Sequence, residues 1–198
     1  MAFHHVAIAT KDIAANHDFY TRVMGFKLVK VVASATPGDH GGWARHVFYD
    51  TGHGEMIAFW DLHDAKIGDS WKADHSESLG LPVWANHLAF NAPTMDDLVA
   101  RRRHWQEQGM DVLEIDHEWC TSIYATDPNG VMVEFCHTTR DFTADEIAEA
   151  AHLLRAAKPE LEAPGKVTVH RPVRRSEAAG RDSSRPGRET AEASPAAK

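Results

Sequence analysis

Cysteine is scarce in this chain: two residues, Cys120 and Cys136, in 198. A pair cannot build a disulfide framework, and the expected state is two reduced thiols in a cytosol. No apolar run approaches the roughly 20 residues needed to span a bilayer. The opening segment, MAFHHVAIAT, has no basic stretch leading into an apolar one, so no signal peptide is expected. Positive charge is also short. The formal net charge of -8 argues against nucleic acid as the main partner. The expectations are a cytoplasmic location and neither a membrane nor a nucleic-acid partner. Histidine, by contrast, is abundant at fourteen, so a single histidine carries no weight until its position is argued. The length suffices for one domain with a sizeable core or for two small fused modules.

Pattern divides the chain. From Pro164 to Lys198 there are eight Lys or Arg against four Asp or Glu, and the run RRSEAAGRDSSRPGRETAEASPAAK has no apolar period. Such a composition cannot bury enough surface to offset ordering, so residues 161–198 are expected to form a disordered tail. The remainder contains an internal repeat. HVAIATKDIAANHDFYTRVMGFKLV begins at His5 and HLAFNAPTMDDLVARRRHWQEQGMDVL at His87. Each opens as an alternating strand and continues into a helix with an acidic start. Asp12 is placed to cap the first helix, and Thr94 with Asp97 reads as a capping box for the second. Each helix ends near a glycine, Gly25 or Gly109, and three strands follow. Each half therefore reads βαβββ, one supersecondary unit used twice. The expected boundaries are a first module over 1–61, a linker loop over 62–84 and a second module over 85–140. A C-terminal helix follows within 141–160, opened by Thr143 with Glu146.

One stretch carries chemistry. SIYATDPNGVMVEF, residues 122–135, reads as strand, tight turn, strand, and sets Glu134 among Val, Met and Phe. A buried carboxylate is costly unless it is paired or binds a cation. His5 and His87 open equivalent strands in the two repeats. Pseudo-twofold packing would bring them together, with Glu134 on the last strand of the second module. A lone strand histidine is most often structural. Two at repeat-equivalent positions with a buried glutamate point instead to a metal. Two histidines and a carboxylate on one face of an ion leave positions for substrate and oxygen, as in non-haem Fe(II) oxygenases. DPNG suits a type I turn with Gly130 in the left-handed region. That register pairs Tyr124 with Glu134 and turns the tyrosine hydroxyl into the same cavity.

The segments FHHVAIATKDIAANHDFYTRVMGFKL, NHLAF and DPNGVMVEF resemble the vicinal oxygen chelate superfamily. It includes glyoxalase I, fosfomycin-resistance thiol transferases, bleomycin-binding proteins and type I extradiol ring-cleavage dioxygenases. The resemblance covers about residues 3–140. It implies an α+β fold in which two βαβββ modules form an eight-stranded, curved-sheet metal cavity. Glyoxalases usually draw a glutamate ligand from the fourth strand of the first module. Here Ala58 takes that position, and Glu55 falls on the opposite face. The segment around Tyr124 resembles the extradiol one, where a tyrosine ahead of the glutamate ligand hydrogen-bonds the substrate hydroxyl. Asp116 and His117 resemble the acid–histidine pair that often precedes it. Extradiol enzymes also carry a catalytic histidine near the start of the first module's fourth strand. That position falls on Glu55, with His53 two residues before. His40 and His46 are further candidates, each more readily a surface or structural residue.

The resemblance thus implies a single-domain extradiol dioxygenase-like enzyme using Fe(II), with Mn(II) or another divalent metal as the alternative. A catecholic or related small aromatic substrate and O2 would be its reactants. His5, His87 and Glu134 would hold the metal, Tyr124 would orient a substrate oxygen, and His117 or His53 would move protons. Phe48, Phe59, Trp60, Phe90 and Trp119 are candidate walls for the ring. A homodimer is compatible with this reading. The alternatives on the same scaffold are a metal-dependent isomerase or transferase and a ligand-binding protein.

Overall fold

A computed structural model of the chain describes residues 3–38, 41–52 and 54–173. The first module runs β1 (His5–Thr10), α1 (Ile13–Asp18), β2 (Lys27–Ala35), β3 (Trp43–Asp50) and β4 (Met56–His63). The second runs β5 (His87–Asn91), α2 (Met95–Glu107), β6 (Val112–Asp116), β7 (Cys120–Thr126) and β8 (Met132–Thr138). Helix α3 (Ala144–Arg155) and strand β9 (Lys166–His170) follow. The fold is α+β, and the two modules share one plan. In each, the first strand pairs parallel with the fourth and the rest is antiparallel, giving sheet orders β1-β4-β3-β2 and β5-β8-β7-β6-β9.

Local chemistry sets the element ends. The Asp12 carboxylate accepts from the Ala14 and Ala15 amides at 3.0 and 2.9 Å, filling two donors that a helix start leaves open. Thr94 with Asp97 and Thr143 with Glu146 form reciprocal capping boxes. Helix α1 runs on as a π-helical turn over Phe19–Val23. The β7–β8 hairpin closes through Asp127 N to Val131 O at 2.9 Å, with Gly130 at φ +84°. The buried Asp127 carboxylate accepts from the Asn129 and Val131 amides and from the Tyr20 hydroxyl. Asn129 in turn bonds Asn16 and Thr10, so the hairpin tip is tied to the first module.

The core lies between the two sheets. Tyr49, Ile57 and Phe59 from the first sheet and Ile123, Val133 and Phe135 from the second belong to one buried cluster with Tyr20, Phe26 and Trp105. Phe26 meets Phe90 edge-on at 4.9 Å between centroids, and the Arg101 guanidinium lies 4.0 Å from the Phe135 ring centre. The residues that alternate with these strand positions, including His5, His46, Ala58, His87, Tyr124 and Glu134, lie outside that cluster. They mark the faces of both sheets turned away from it.

The C-terminus departs from the expected tail. Lys166–His170 pairs antiparallel with β6, although 161–198 was expected to be disordered. The reason is that β6 would otherwise be a free edge, and an edge rewards backbone pairing without a core-forming pattern. His170 Nε2 lies 3.1 Å from Glu114, Arg171 pairs with Asp111 at 2.9 Å, and the Val173 amide donates to Gln106 O. The tail expectation for 174–198 lies outside the described residues. No helix among the described residues is long and apolar enough to cross a membrane.

Candidate functional site

The sheet register places Ala89 beside Glu134 and Tyr124 opposite it. In the first module the same plan places Ala7 beside Ala58 and Phe48 opposite it. Ala58 is therefore the structural counterpart of Glu134, and Phe48 that of Tyr124. One sheet carries carboxylate chemistry at this position and the other an apolar surface.

Glu134 is 5% exposed, and its partner is His87, with Nε2 3.0 Å from Oε2. The Nδ1 atom of His87 lies 3.0 Å from the Trp84 carbonyl oxygen. A carbonyl only accepts, so Nδ1 carries the proton. Nε2 then faces Glu134 either protonated, as an ion pair, or with its lone pair free for a cation shared with the carboxylate. A histidine whose Nδ1–H is fixed by a backbone carbonyl is the usual arrangement of a metal-ligating imidazole. The donor set of this half-site fits a divalent ion.

Tyr124 extends the site. Its hydroxyl is 3.2 Å from His117 Nε2, and its ring centroid is 6.2 Å from that of His87. Burial, with the Glu134 charge adding to it, pushes the phenol up to about 12. Tyr124 is therefore a neutral donor at ordinary pH. His87, Glu134, Tyr124 and His117 form one continuous polar run on one face. Ser122 and the free Cys120 and Cys136 alternate onto that face.

His5 does not join this run. Its ring lies against Phe48 and His46, at 5.5 and 5.9 Å between centroids, and its Nδ1 is 2.7 Å from that of His4. Among the described residues no three His, Cys, Asp or Glu gather where they could hold an ion. The expected meeting of His5, His87 and Glu134 thus brings two of the three together within a chain. His5 and His87 open the first strands of different sheets, and among the described residues the ring contacts of His5 are all to residues of the first module. His53 and His40 lie outside the described residues. His46 stacks on Trp60 at 3.8 Å, and burial lowers its pKa. Of the candidate ring walls, Phe59 is wholly buried and Phe90 packs against the core. Phe48 and Trp60 share the outer face with His5.

The chain is thus a paired βαβββ protein with a His–Glu–Tyr run on one sheet face. The family comparison agrees: the model for the "Glyoxalase/Bleomycin resistance protein/Dioxygenase superfamily" matches residues 2–135, and the chain belongs to that superfamily. A glyoxylase/bleomycin resistance protein/dioxygenase domain from Frankia sp. EAN1pec is 17% identical, with 72% of this chain and 95% of that one covered and a TM-score of 0.51. A lactoylglutathione lyase from Agrobacterium tumefaciens is 20% identical, covering 69% and 92%, with a TM-score of 0.45. A genomically encoded fosfomycin resistance protein from Listeria monocytogenes is 15% identical, covering 74% and 97%, with a TM-score of 0.48. At such identities the likeness concerns the fold. No curated protein matches.

Proposed function

We propose that this protein is a metal-dependent dioxygenase of the extradiol type, cleaving a catecholic or related vicinal-oxygen aromatic ring with Fe(II), or alternatively Mn(II). The observation that carries the reading is the run His87–Glu134–Tyr124–His117, in which a paired imidazole and carboxylate stand beside a neutral phenol and a second imidazole. His87 and Glu134 would hold the ion, and His5 would be the third donor, supplied by a second copy of the chain. When bound, the ion supplies Lewis acidity toward two adjacent substrate oxygens and a path for electrons to O2. Tyr124 donates a hydrogen bond to a substrate oxygen, which its raised pKa keeps possible at neutral pH. His117 Nε2, within reach of the Tyr124 hydroxyl, takes or returns the proton that the substrate hydroxyl releases. Phe48 and Trp60, on the face that carries His5, offer an apolar wall to the ring.

A ligand-binding protein without chemistry is the second reading. What favours it is that, among the described residues, two donors and not three come together. The test is an oxygen-uptake screen over a broad set of catechols with protein loaded anaerobically with Fe(II). Uptake with ring-cleaved product supports the dioxygenase. Stoichiometric metal binding without uptake on any catechol sinks it and leaves an isomerase or transferase on the same scaffold. Failure to bind metal favours the ligand-binding protein.

A further inference from the structure

The segment after β8 helps to enclose a second cavity. A cavity of about 400 Å³ lies between the turn that precedes β7 and helix α3, with Trp119, Phe142, Ile147 and Leu153 in its walls. The Trp119 and Phe142 rings touch, 4.9 Å between centroids, and form one aromatic surface. They remain 36% and 54% exposed, and no residue of α3 is buried. The part of the wall from Arg140 to Glu162 lies beyond residues 2–135 that match the superfamily.

The lining is acidic, with four glutamates against one arginine. Glu118, Glu149 and Glu162 line the cavity; Glu118 feels the Arg140 charge, whereas Glu149 and Glu162 have no ion-pair partner among the described residues. Arg140 is already taken. Its Nη2 and Nη1 bind the two Glu146 oxygens at 2.7 and 2.9 Å, a bidentate pair that leaves the cavity no free guanidinium. The turn that sets the wall is strained. Glu118 has φ +69°, the one positive φ at a non-glycine residue among those described. The Glu118 amide bonds the Asp116 carboxylate and Thr139 bonds the Glu118 carbonyl, which hold this conformation. Strain of this kind persists where it positions a side chain, and here it sets Glu118 on the rim and Trp119 on the wall.

We propose that this cavity binds a small organic cation, an aromatic or apolar body carrying a quaternary or protonated amine. The aromatic surface offers the ring faces that attract such a cation, and the apolar walls take its body. The unpaired carboxylates of Glu149 and Glu162, with Glu118 beside them, repel an anion and leave a neutral ligand without a counterpart for their charge. His117 lies in the wall of this cavity, and its Nε2 contacts the Tyr124 hydroxyl, so the bound cation would sit at the edge of the reaction face. The site stands on its own walls and rim, whatever reaction that face performs.

Isothermal titration of the full-length, metal-free chain with three probes tests this. Benzyltrimethylammonium is the cation, benzyl alcohol the neutral analogue and benzoate the anion. The expected result is saturable one-to-one binding of the cation, at least about tenfold weaker binding of the alcohol and none of benzoate. Glu149→Gln with Glu162→Gln should weaken the cation about tenfold and leave the alcohol unchanged. Both positions are exposed, so the variant should melt like the wild type. Trp119→Leu keeps the acidic rim and should also weaken the cation. Equal affinity for alcohol and cation, an unchanged double variant, or no saturable binding at millimolar cation would each overturn the proposal. None of these results depends on Fe(II) or on oxygen uptake.

Discussion

Tyr124 joins the His87–Glu134 pair to His117 through a single side chain. It is opposite Glu134 in the sheet and within hydrogen-bonding reach of His117. Tyr124→Phe removes the hydroxyl and little else. If the hydroxyl acts on charge developing at a substrate oxygen, cleavage should fall roughly 10²-fold or more with metal content unchanged. An unaltered rate would remove Tyr124 from the chemistry while leaving the general reading in place. The tyrosines also give a pH signature independent of activity. The chain has three. Burial pushes Tyr49 and Tyr124 up to about 12, and burial with the Asp127 charge raises Tyr20 well above the ordinary value. In the unfolded chain all three should ionise near pH 10. The folded state thus favours the neutral phenol. The stability linked to it is intact below pH 10 and is lost as pH climbs from 10 through 12. Absorbance at 295 nm should show no phenolate midpoint near 10 in the native protein, and denaturation midpoints should fall above that pH. A native tyrosine titrating at 10 would contradict the burial described for it.

At the scale of elements, the hairpin that holds Glu134 depends on one backbone conformation. Gly130 sits at φ +84°, and a Cβ there would meet the Asp74 Cβ at 3.2 Å. Gly130→Ala should cost about 1–2 kcal/mol for the left-handed conformation alone, read as a drop of several degrees in Tm. An unchanged Tm would mean that the turn relaxes to another type. Strand β9 gives the companion test. Ending the chain after Glu162 removes its pairing with β6 and the Arg171–Asp111 and His170–Glu114 contacts. Lower Tm and more association through the bared β6 edge are expected, checked by melting and light scattering; equal behaviour would make β9 dispensable. The hairpin register was legible because DPNG dictates a turn and the turn dictates which residues oppose. The capping boxes were legible for the same local reason. β9 was not, because five residues in a basic stretch pair to an edge and bury no stripe. The cavity beside Trp119 was not, because nothing in the spacing of Arg140, Phe142 and Glu162 marks a site. His5 and His87 could be recognised as equivalent, but equivalence does not say which sheet faces the modules bury.

For the whole molecule, burial of the two helix sides in one core has a consequence for assembly. It leaves His5 on the outer face of one sheet and His87 with Glu134 on the outer face of the other. Among the described residues a single chain therefore gathers no three metal donors at one place. Strand β2 is exposed along all nine residues, with Val29, Val31 and Val32 each near 45%, which suits a chain that is covered by a second copy. A twofold dimer in which one subunit's His5 face meets its partner's His87–Glu134 face would complete two sites at once. Subunit mixing decides this. His5→Ala and His87→Ala homodimers should each fail to bind Fe(II) or Mn(II) in stoichiometric amount, because every site in them lacks a donor. In a mixed dimer one site lacks both histidines and the other is intact. Co-expression or co-refolding at equal amounts should therefore restore about one quarter of the wild-type metal sites, as random pairing on a twofold axis dictates. Metal content read by atomic absorption after gel filtration gives the number. A dimer with no recovery on mixing would place all the donors of a site within one chain. A monomeric wild type that binds one ion would do so as well, and either result would require His5 to reach Glu134 by a rearrangement of the modules.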